Sequence, residues 1–468
     1  MAIKASKDLS ADTINDPLAQ AIAPPPHETL EEREKRLEGE KEAKRVSDVI
    51  DEEIDKEKRR EKPMKILLLG QSESGKSTTL KNFQLMYEPK AFRQELACWR
   101  AIIQLNVVQS FHLIMDAMDQ AQRGAAGGEE IDHTTKNFPP LTTEHLRLKQ
   151  RLLPLLQIED ALIQRLSPVS SKQRALEGPR LSFKEVAVNS SSAWKECFQK
   201  LLKNDRDTDK DSVVDWDDPT DPGRVLHACS EDMICLWSDP VIQQLLVKLK
   251  LRMQEHTGFF LDALERVTAP RYLPSDDDIL RARLKTLGVT EHHFRMRHDA
   301  GFGKDWRIYD VGGQRSQVPA WIPYFDHMDA IIFLTPISAF DQVLEEDSKV
   351  NRLQDSVHLW KEIISNELLR NTNIILFLNK IDIFQAKLEA GIRFADYVTS
   401  YGDRPNDFEN TSAYLKKKFA SILKSHSKTP RILYCHLTTV TDTKSTGYIL
   451  TNLHEMLMRQ NLVNCNLT

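Results

Sequence analysis

The residues with the clearest chemistry lie in one stretch, Met64-Lys-Ile-Leu-Leu-Leu-Gly-Gln-Ser-Glu-Ser-Gly-Lys-Ser-Thr-Thr79. Gly70 and Gly75-Lys76-Ser77 stand at the G-x-x-x-x-G-K-[ST] spacing of a phosphate-binding loop. The spacing follows from geometry: successive backbone N–H groups must turn inward to cradle phosphate oxygens, with a helix N-terminus behind them. Lys76 would then reach the β- and γ-phosphates, and the Ser77 hydroxyl would sit on Mg²⁺. The apolar run Ile66 to Leu69 predicts a buried strand before the loop, and the pattern after it predicts a helix. In that context a chance Gly-Lys-Ser turn is a poor explanation. The loop implies a nucleoside triphosphate, but neither its base nor its hydrolysis.

Three further motifs follow apolar, strand-like runs, at the strand ends where open α/β sheets bind ligands. Asp310-Val-Gly-Gly313 comes after Arg307–Tyr309. Its aspartate can hold Mg²⁺ through water, Gly313 can donate its N–H to a γ-phosphate, and Gln314 can orient an attacking water. Asn379-Lys-Ile-Asp382 follows Ile374–Leu378. A carboxylate at Asp382 accepts both N1–H and the exocyclic amine of guanine, a pair that adenine does not offer. This disfavours an ATP-using enzyme. Thr441-Asp-Thr443, after Ile432–Leu437, can complete the base pocket. Each motif alone is weak, but their order and their shared position after strands are specific.

The elements that must position these residues are legible from composition and pattern. A chain of 468 residues predicts at least two domains. A net charge of −5 gives no case for nucleic-acid binding. The six cysteines form no C-x-x-C pair, so neither a zinc knuckle nor a disulfide framework is implied, which fits a reducing intracellular compartment. No apolar run approaches a membrane span, and no signal-peptide core is present. Residues 1–27, ending in Pro24-Pro-Pro26, read as a disordered tail. Residues 28–62 read as a solvated helix of mixed charge, whose sparse stripe Val46, Ile50 and Ile54 either lies on a partner or is simply exposed.

Beyond the phosphate loop, Trp99, Ile102, Ile103, Val107, Phe111 and Ile114 recur at helical spacing, then Gly124–Gly128 reads as a loop. Helical patterning returns over Glu144–Leu166 and Ser238–Val267, with a Ser/Pro/Gly-containing loop over 167–193. The acidic run Asp205 to Asp215 lacks the Gly and Glu of a calcium loop and reads as a solvated acidic loop. Later, strand-like runs alternate with helices such as Lys349–Asn366 and Thr411–Ser425, which predicts a mostly parallel sheet covered on both faces. An α/β domain therefore starts at the phosphate loop, is interrupted by an all-helical block, and resumes near Asp276.

These motifs, with Asp278-Ile-Leu-Arg-Ala-Arg-Leu-Lys-Thr-Leu-Gly288, resemble the α subunit of heterotrimeric G proteins, of a divergent, fungal-like kind, from about Glu28 to the C-terminus. The resemblance implies a Ras-like GTPase domain over 63–92 and 276–468, and an inserted helical domain over 93–275, enlarged by loops near 122–142 and 167–193. It implies an N-terminal helix over 28–62 and a GTPase switch that passes signals from membrane receptors to effectors. Arg283 would be the built-in arginine finger and Gln314 the second catalytic residue. Ser77, Thr286 and Asp310 would serve Mg²⁺. GTP or GDP would be held by Glu73, Ser74, Gly75, Lys76, Ser77 and Thr78, by Leu280 and Arg281, and by Gly313, Asn379, Lys380, Asp382 and Val440. Partners implied are a βγ dimer and, through the C-terminal helix, a receptor.

The chain departs from the family pattern at several places. Ser72 replaces a glycine beside the γ-phosphate, Val440 a small residue in the base loop, and Val318-Pro-Ala320 the basic residues of the second switch. Trp321 remains there as an apolar anchor for βγ. The chain begins Met1-Ala2, which cannot be N-myristoylated, and closes with Asn466-Leu-Thr468 in place of an apolar pair. These departures predict a cytoplasmic protein, peripheral at the inner face of the plasma membrane through its partners. They also support an alternative, a GTP-binding scaffold or constitutive effector with weak hydrolysis and weak βγ coupling.

Overall fold

A computed structural model of the chain describes residues 29–59, 63–126, 138–166, 187–189, 216, 218–249, 251–255, 258–295, 305–326, 328–344 and 346–464. The acidic run 205–215, the tail 1–27 and the last four residues lie outside the described part.

The described residues fall into two compact units, one within 1–62 and one within 63–468. In the first, α1 (Leu30–Arg59) is a helix stitched by surface pairs, Arg36 with Glu40 and Arg45 with Glu42, each at 2.7 Å. Thr29 and Glu32 cap its start reciprocally. Val46, Val49 and Ile50 are about half exposed along it.

The second unit is built on a six-stranded sheet in the order β4-β5-β1-β6-β7-β8. The strands are β1 (Met64–Gly70), β4 (Val289–Arg295), β5 (Asp305–Val311), β6 (Ala330–Pro336), β7 (Asn373–Asn379) and β8 (Leu433–Thr438). All neighbours are parallel except the edge pair β4 and β5. The central strands read as unbroken apolar runs because both faces are covered. Alternation decides which face each residue serves. Leu67 and Leu69 join one core with α10 (Arg352–Ser365), α11 (Ile381–Glu389) and α12 (Phe408–His426). Ile66 and Leu68 join the other, with α2 (Lys76–Tyr87) and α13 (Thr443–Asn464).

A third core is all-helical. Its axis is α3 (Leu96–Ala126), packed by α4 (Thr143–Arg151), α5 (Pro154–Leu166), α6 (Pro222–Ala228), α7 (Ser230–Ser238) and α8 (Pro240–Lys248). On α3, Ile102, Ile103, Val107, Phe111 and Ile114 are fully buried. The Leu96–Arg123 part of α3 is long and apolar enough to cross a membrane by composition, contrary to the sequence expectation; two thirds of its most apolar window is buried inside this lobe, as in a core helix.

Several expected bounds shift. α3 carries through Gly124-Ala-Ala126, where a loop was expected. The helical patterning over Glu144–Leu166 resolves into two helices, because Pro154 cannot continue a helix but starts one well. Ser238–Val267 likewise breaks into α8 and short turns. Within the loop expected over 167–193, β2 (Ala187–Asn189) pairs in parallel with β3 (Lys285–Leu287).

Candidate functional site

β1 delivers the chain to its C-terminal edge at Gly70, and the loop 71–75 turns it into α2. Gly75 sits at φ +106°, and a Cβ there would overlap the side-chain nitrogen of Asn379, so a glycine is required on both counts. Asn379, at the end of β7, is fully buried and ties the neighbouring loops together. Its Nδ2 donates to the Ser74 carbonyl at 2.7 Å. Its Oδ1 accepts from Val440 N at 3.2 Å and from Thr438 Oγ1 at 3.1 Å. Asn82 on α2 donates to the Val440 carbonyl at 2.8 Å, closing the link to the base loop.

Lys76 is buried at the first position of α2 and donates to the carbonyls of Gly70 and Gln71 at 2.8 and 2.6 Å. Burial pulls its pKa down to about 8, with Asp310 opposing the shift. Next to it, Ser77 Oγ donates to Asp310 Oδ2 at 2.7 Å, bringing the hydroxyl and the carboxylate of two distant motifs together. Lys380 is held in a left-handed conformation, and burial lowers its pKa, with Glu73 the leading opposing charge. Asp382 is exposed at the mouth, where Thr439 Oγ1 donates to its Oδ1 at 3.2 Å.

The linker into the first switch begins with α9 (Asp276–Arg281), started by a capping box from Ser275 and Asp278. Arg266 donates two bonds to Asp278, at 2.6 and 2.7 Å. Burial alone would raise the Asp278 pKa, but the bonds from Arg266 and Ser275 outweigh it and hold the carboxyl near 2. Leu280 and Arg281 line the cleft, and the Leu280 carbonyl accepts from Thr78 Oγ1 at 3.4 Å. Arg283 points its guanidinium at the phosphate loop, with Nη1 2.9 Å from Glu73 Oε1. Glu73, at φ +58°, also meets Arg352 of α10 at 3.3 Å, and Arg352 donates to the Ser72 carbonyl at 2.8 Å. Thr286 lies on β3, and its side chain is outside the described part.

β5 ends in Asp310 and Val311, and Gly313 lies against the phosphate loop. A Cβ at Gly313 would overlap the Gln71 carbonyl carbon, Ser72 N and Lys76 Nζ, while Ser72 N donates to the Gly313 carbonyl at 2.9 Å. Gln314 opens a 3₁₀ stretch, Arg315–Tyr324, with Pro319 and Pro323 inside it. Pro319, lacking an N–H donor, predicts a helix that starts later or is less ordered; the stretch starts directly at Arg315, but as 3₁₀ and not as an α-helix. Trp321 differs from expectation: it is fully buried, with Nε1 donating to the Gly312 carbonyl at 3.1 Å, so in this conformation it is core and offers no surface anchor.

One cleft is therefore lined by Glu73, Ser74, Gly75, Lys76, Ser77, Thr78, Leu280, Arg281, Arg283, Gly313, Gln314, Asn379, Lys380, Asp382 and Val440. Among the described residues no group of three or more His, Cys, Asp or Glu gathers as a metal cage. Motif reading missed several contributors. Asn106 on α3 bonds the main chain of Arg283, Lys81 on α2 bonds the linker carbonyls, and Asp355 on α10 takes Gln71 and Arg315. Asn106 is one of three buried polar residues on this stretch of α3, with Arg100 and Gln104, and nothing in its spacing singled it out.

A phosphate loop on β1, an arginine-bearing linker from a helical lobe, and an Asn-Lys-x-Asp turn on β7 define a guanine-nucleotide-binding GTPase with a helical insert. Residues 44–457 match the family described as G-protein alpha subunit, and the chain belongs to that family. It is 30% identical to the guanine nucleotide-binding protein alpha-4 subunit of Mycosarcoma maydis, across 98% of this chain and 97% of that protein. It is also 30% identical to the alpha-1 subunit of the same fungus, across 91% and 97%, and 29% identical to the alpha-1 subunit of Caenorhabditis elegans, across 90% and 95%. The protein is thus a GTP-binding, GTP-hydrolysing switch of signal transduction, of a family that works with βγ dimers and receptors.

Proposed function

We propose that Arg283 and Gln314 carry GTP hydrolysis in this cleft and that Lys76 and the phosphate-loop N–H groups carry binding. The observation that supports this most directly is the Arg283–Glu73 ion pair at 2.9 Å, which keeps a permanently charged guanidinium beside the phosphate loop. Phosphoryl transfer asks for positioning and charge stabilisation more than covalent chemistry, a scheme for which this family is itself a standard illustration. Arg283 would exchange Glu73 for charge developing on the γ-phosphate, and Gln314 would hold the attacking water. Asp382 would select guanine, with Thr439 orienting its carboxylate.

Mg²⁺ fits the same cleft. Ser77 and Asp310 offer hard oxygen donors 2.7 Å apart, and this ion takes one or two protein oxygens alongside substrate phosphates and water. Thr286 is assigned as the further protein ligand by resemblance. The ion, when bound, supplies charge neutralisation on the phosphates.

Coupling to βγ is proposed to be weakened at the second switch. Val318, Pro319 and Ala320 stand there in place of charge, and Trp321 is turned inward. The receptor would engage the C-terminal helix, and membrane residence at the inner face would come through partners, which fractionation with and without βγ checks. The defining experiment is GTP binding and single-turnover hydrolysis on the purified chain. Gln314→Leu and Arg283→Cys should each slow hydrolysis about a hundredfold or more with GTP affinity nearly intact. Parent rates in both variants, or equal competition by ATP and GTP in the parent, would refute the assignment.

A further inference from the structure

We propose that Asn106, on α3 of the helical lobe, is a positioning residue for GTP hydrolysis: its carboxamide clamps the main chain of Arg283 and fixes the point from which the guanidinium swings. The inference rests on the reading of Arg283 as the catalytic arginine.

One rigid amide meets both polar groups of one residue. Asn106 Oδ1 accepts from Arg283 N at 2.8 Å, and Asn106 Nδ2 donates to the Arg283 carbonyl at 3.1 Å. Asn106 is 6% exposed, on a helix face shared with buried Ile102, Ile103 and Val107. An asparagine inside a helix is a weaker helix former than alanine, and a buried amide is costly unless it is bonded. Its two bonds to a single distant residue are what offset that cost.

The rest of the linker is held in the same way. Gly258 N donates to the Arg281 carbonyl at 3.0 Å. Gly258 stands at φ +83°, and a Cβ there would come within 2.8 Å of both Arg283 Cβ and Asn106 Oδ1. Lys81 Nζ donates to the carbonyls of Ile279 and Ala282, each at 2.8 Å. Carbonyls 279, 281, 282 and 283 and the N–H of 283 are thereby all engaged. Arg283's main chain is pinned, while its guanidinium pairs with a Glu73 carboxylate that a phosphate can replace.

This division suits catalysis. A charge that stabilises a transition state works best when its position is already fixed, so that no ordering is left for the moment of reaction. A misplacement of about 1 Å can cost about a hundredfold. Releasing the clamp should therefore lower the chemical step and leave GTP affinity largely alone, because the ground state already holds the guanidinium on Glu73.

The test is single-turnover GTP hydrolysis and GTP affinity on the full chain, for the parent, Asn106→Ala, Asn106→Asp, Arg283→Cys and the double variant Asn106→Ala/Arg283→Cys. Asn106→Asp keeps the acceptor for Arg283 N but turns the donor into a second acceptor, and it carries the same prediction if Asn106→Ala does not fold, in the corresponding double variant. Each single Asn106 variant should slow hydrolysis roughly tenfold to a hundredfold, with GTP affinity within about threefold of the parent. In the Arg283→Cys background the Asn106 change should cost less than about twofold further, because its effect passes through Arg283. Parent rates in the Asn106 variants would overturn the proposal, as would an equal loss with and without Arg283. A parent rate in Arg283→Cys would instead remove the arginine reading on which the proposal rests.

Discussion

Asn379 offers a sharp test of how the nucleotide loops are held. Replacing it by alanine removes three hydrogen bonds, those to the Ser74 carbonyl, Val440 N and Thr438 Oγ1. At a net worth of about 1 kcal/mol each, the loss is about 3 kcal/mol, or roughly a hundredfold in an equilibrium constant. It exceeds that figure if Val440 N–H is left buried without a partner, since an unmade bond costs more than a made one contributes. The loss divides between the stability of the nucleotide-free protein and its affinity for GTP, so both need reading, by urea unfolding and by equilibrium titration with GTP. Asn379→Asp should be worse than alanine, because a carboxylate oxygen would face the Ser74 carbonyl in a fully buried place. Unchanged unfolding together with unchanged GTP affinity in Asn379→Ala would refute the view that this side chain ties the loops.

Other perturbations follow from the same geometry. Ser72 lines the cleft and donates its N–H to the Gly313 carbonyl at 2.9 Å, one residue before Gln314; Ser72→Gly should turn over GTP faster, and a rate no higher than the parent's would sink the idea that its side chain crowds the water. Lys81 is fully buried and burial takes its pKa to about 7, with Asp310 opposing. The unfolded chain therefore holds a proton that the folded one gives up between about pH 7 and 10.4, so stability should rise with pH across that window by up to about 1.4 kcal/mol per unit. Urea unfolding at pH 7 and 9 should show the parent gaining relative to Lys81→Met, and identical pH dependence in the two would count against it. Basic residues restored at 318 and 320 should tighten binding of the GDP form to its own βγ dimer, mainly through on-rate. Tight binding by the parent, unmoved by restoration, would leave its coupling intact.

The sequence by itself determined the local elements that carry contiguous chemistry. The phosphate loop, Asp310-Val-Gly-Gly313 and Asn379-Lys-Ile-Asp382 are each a few adjacent residues at the end of an apolar run, so spacing and burial pattern suffice to read them. The central strands were legible for the same reason, being covered on both faces. β4 was not, because as the edge strand it buries only Phe294 and reads Val-Thr-Glu-His-His-Phe-Arg, a polar run. Tertiary structure decided everything that joins residues far apart in the chain. Asn106 meets Arg283 across 177 positions and Ser77 meets Asp310 across 233, and no periodicity encodes such a partner. It also decided that Trp321 faces the core and that Ala187–Asn189 pairs with the first-switch strand, since an aromatic or a three-residue strand carries no mark of what will cover it. A side chain's local neighbours are written in its spacing, but its distant ones exist only once the chain has folded and brought far-apart elements together.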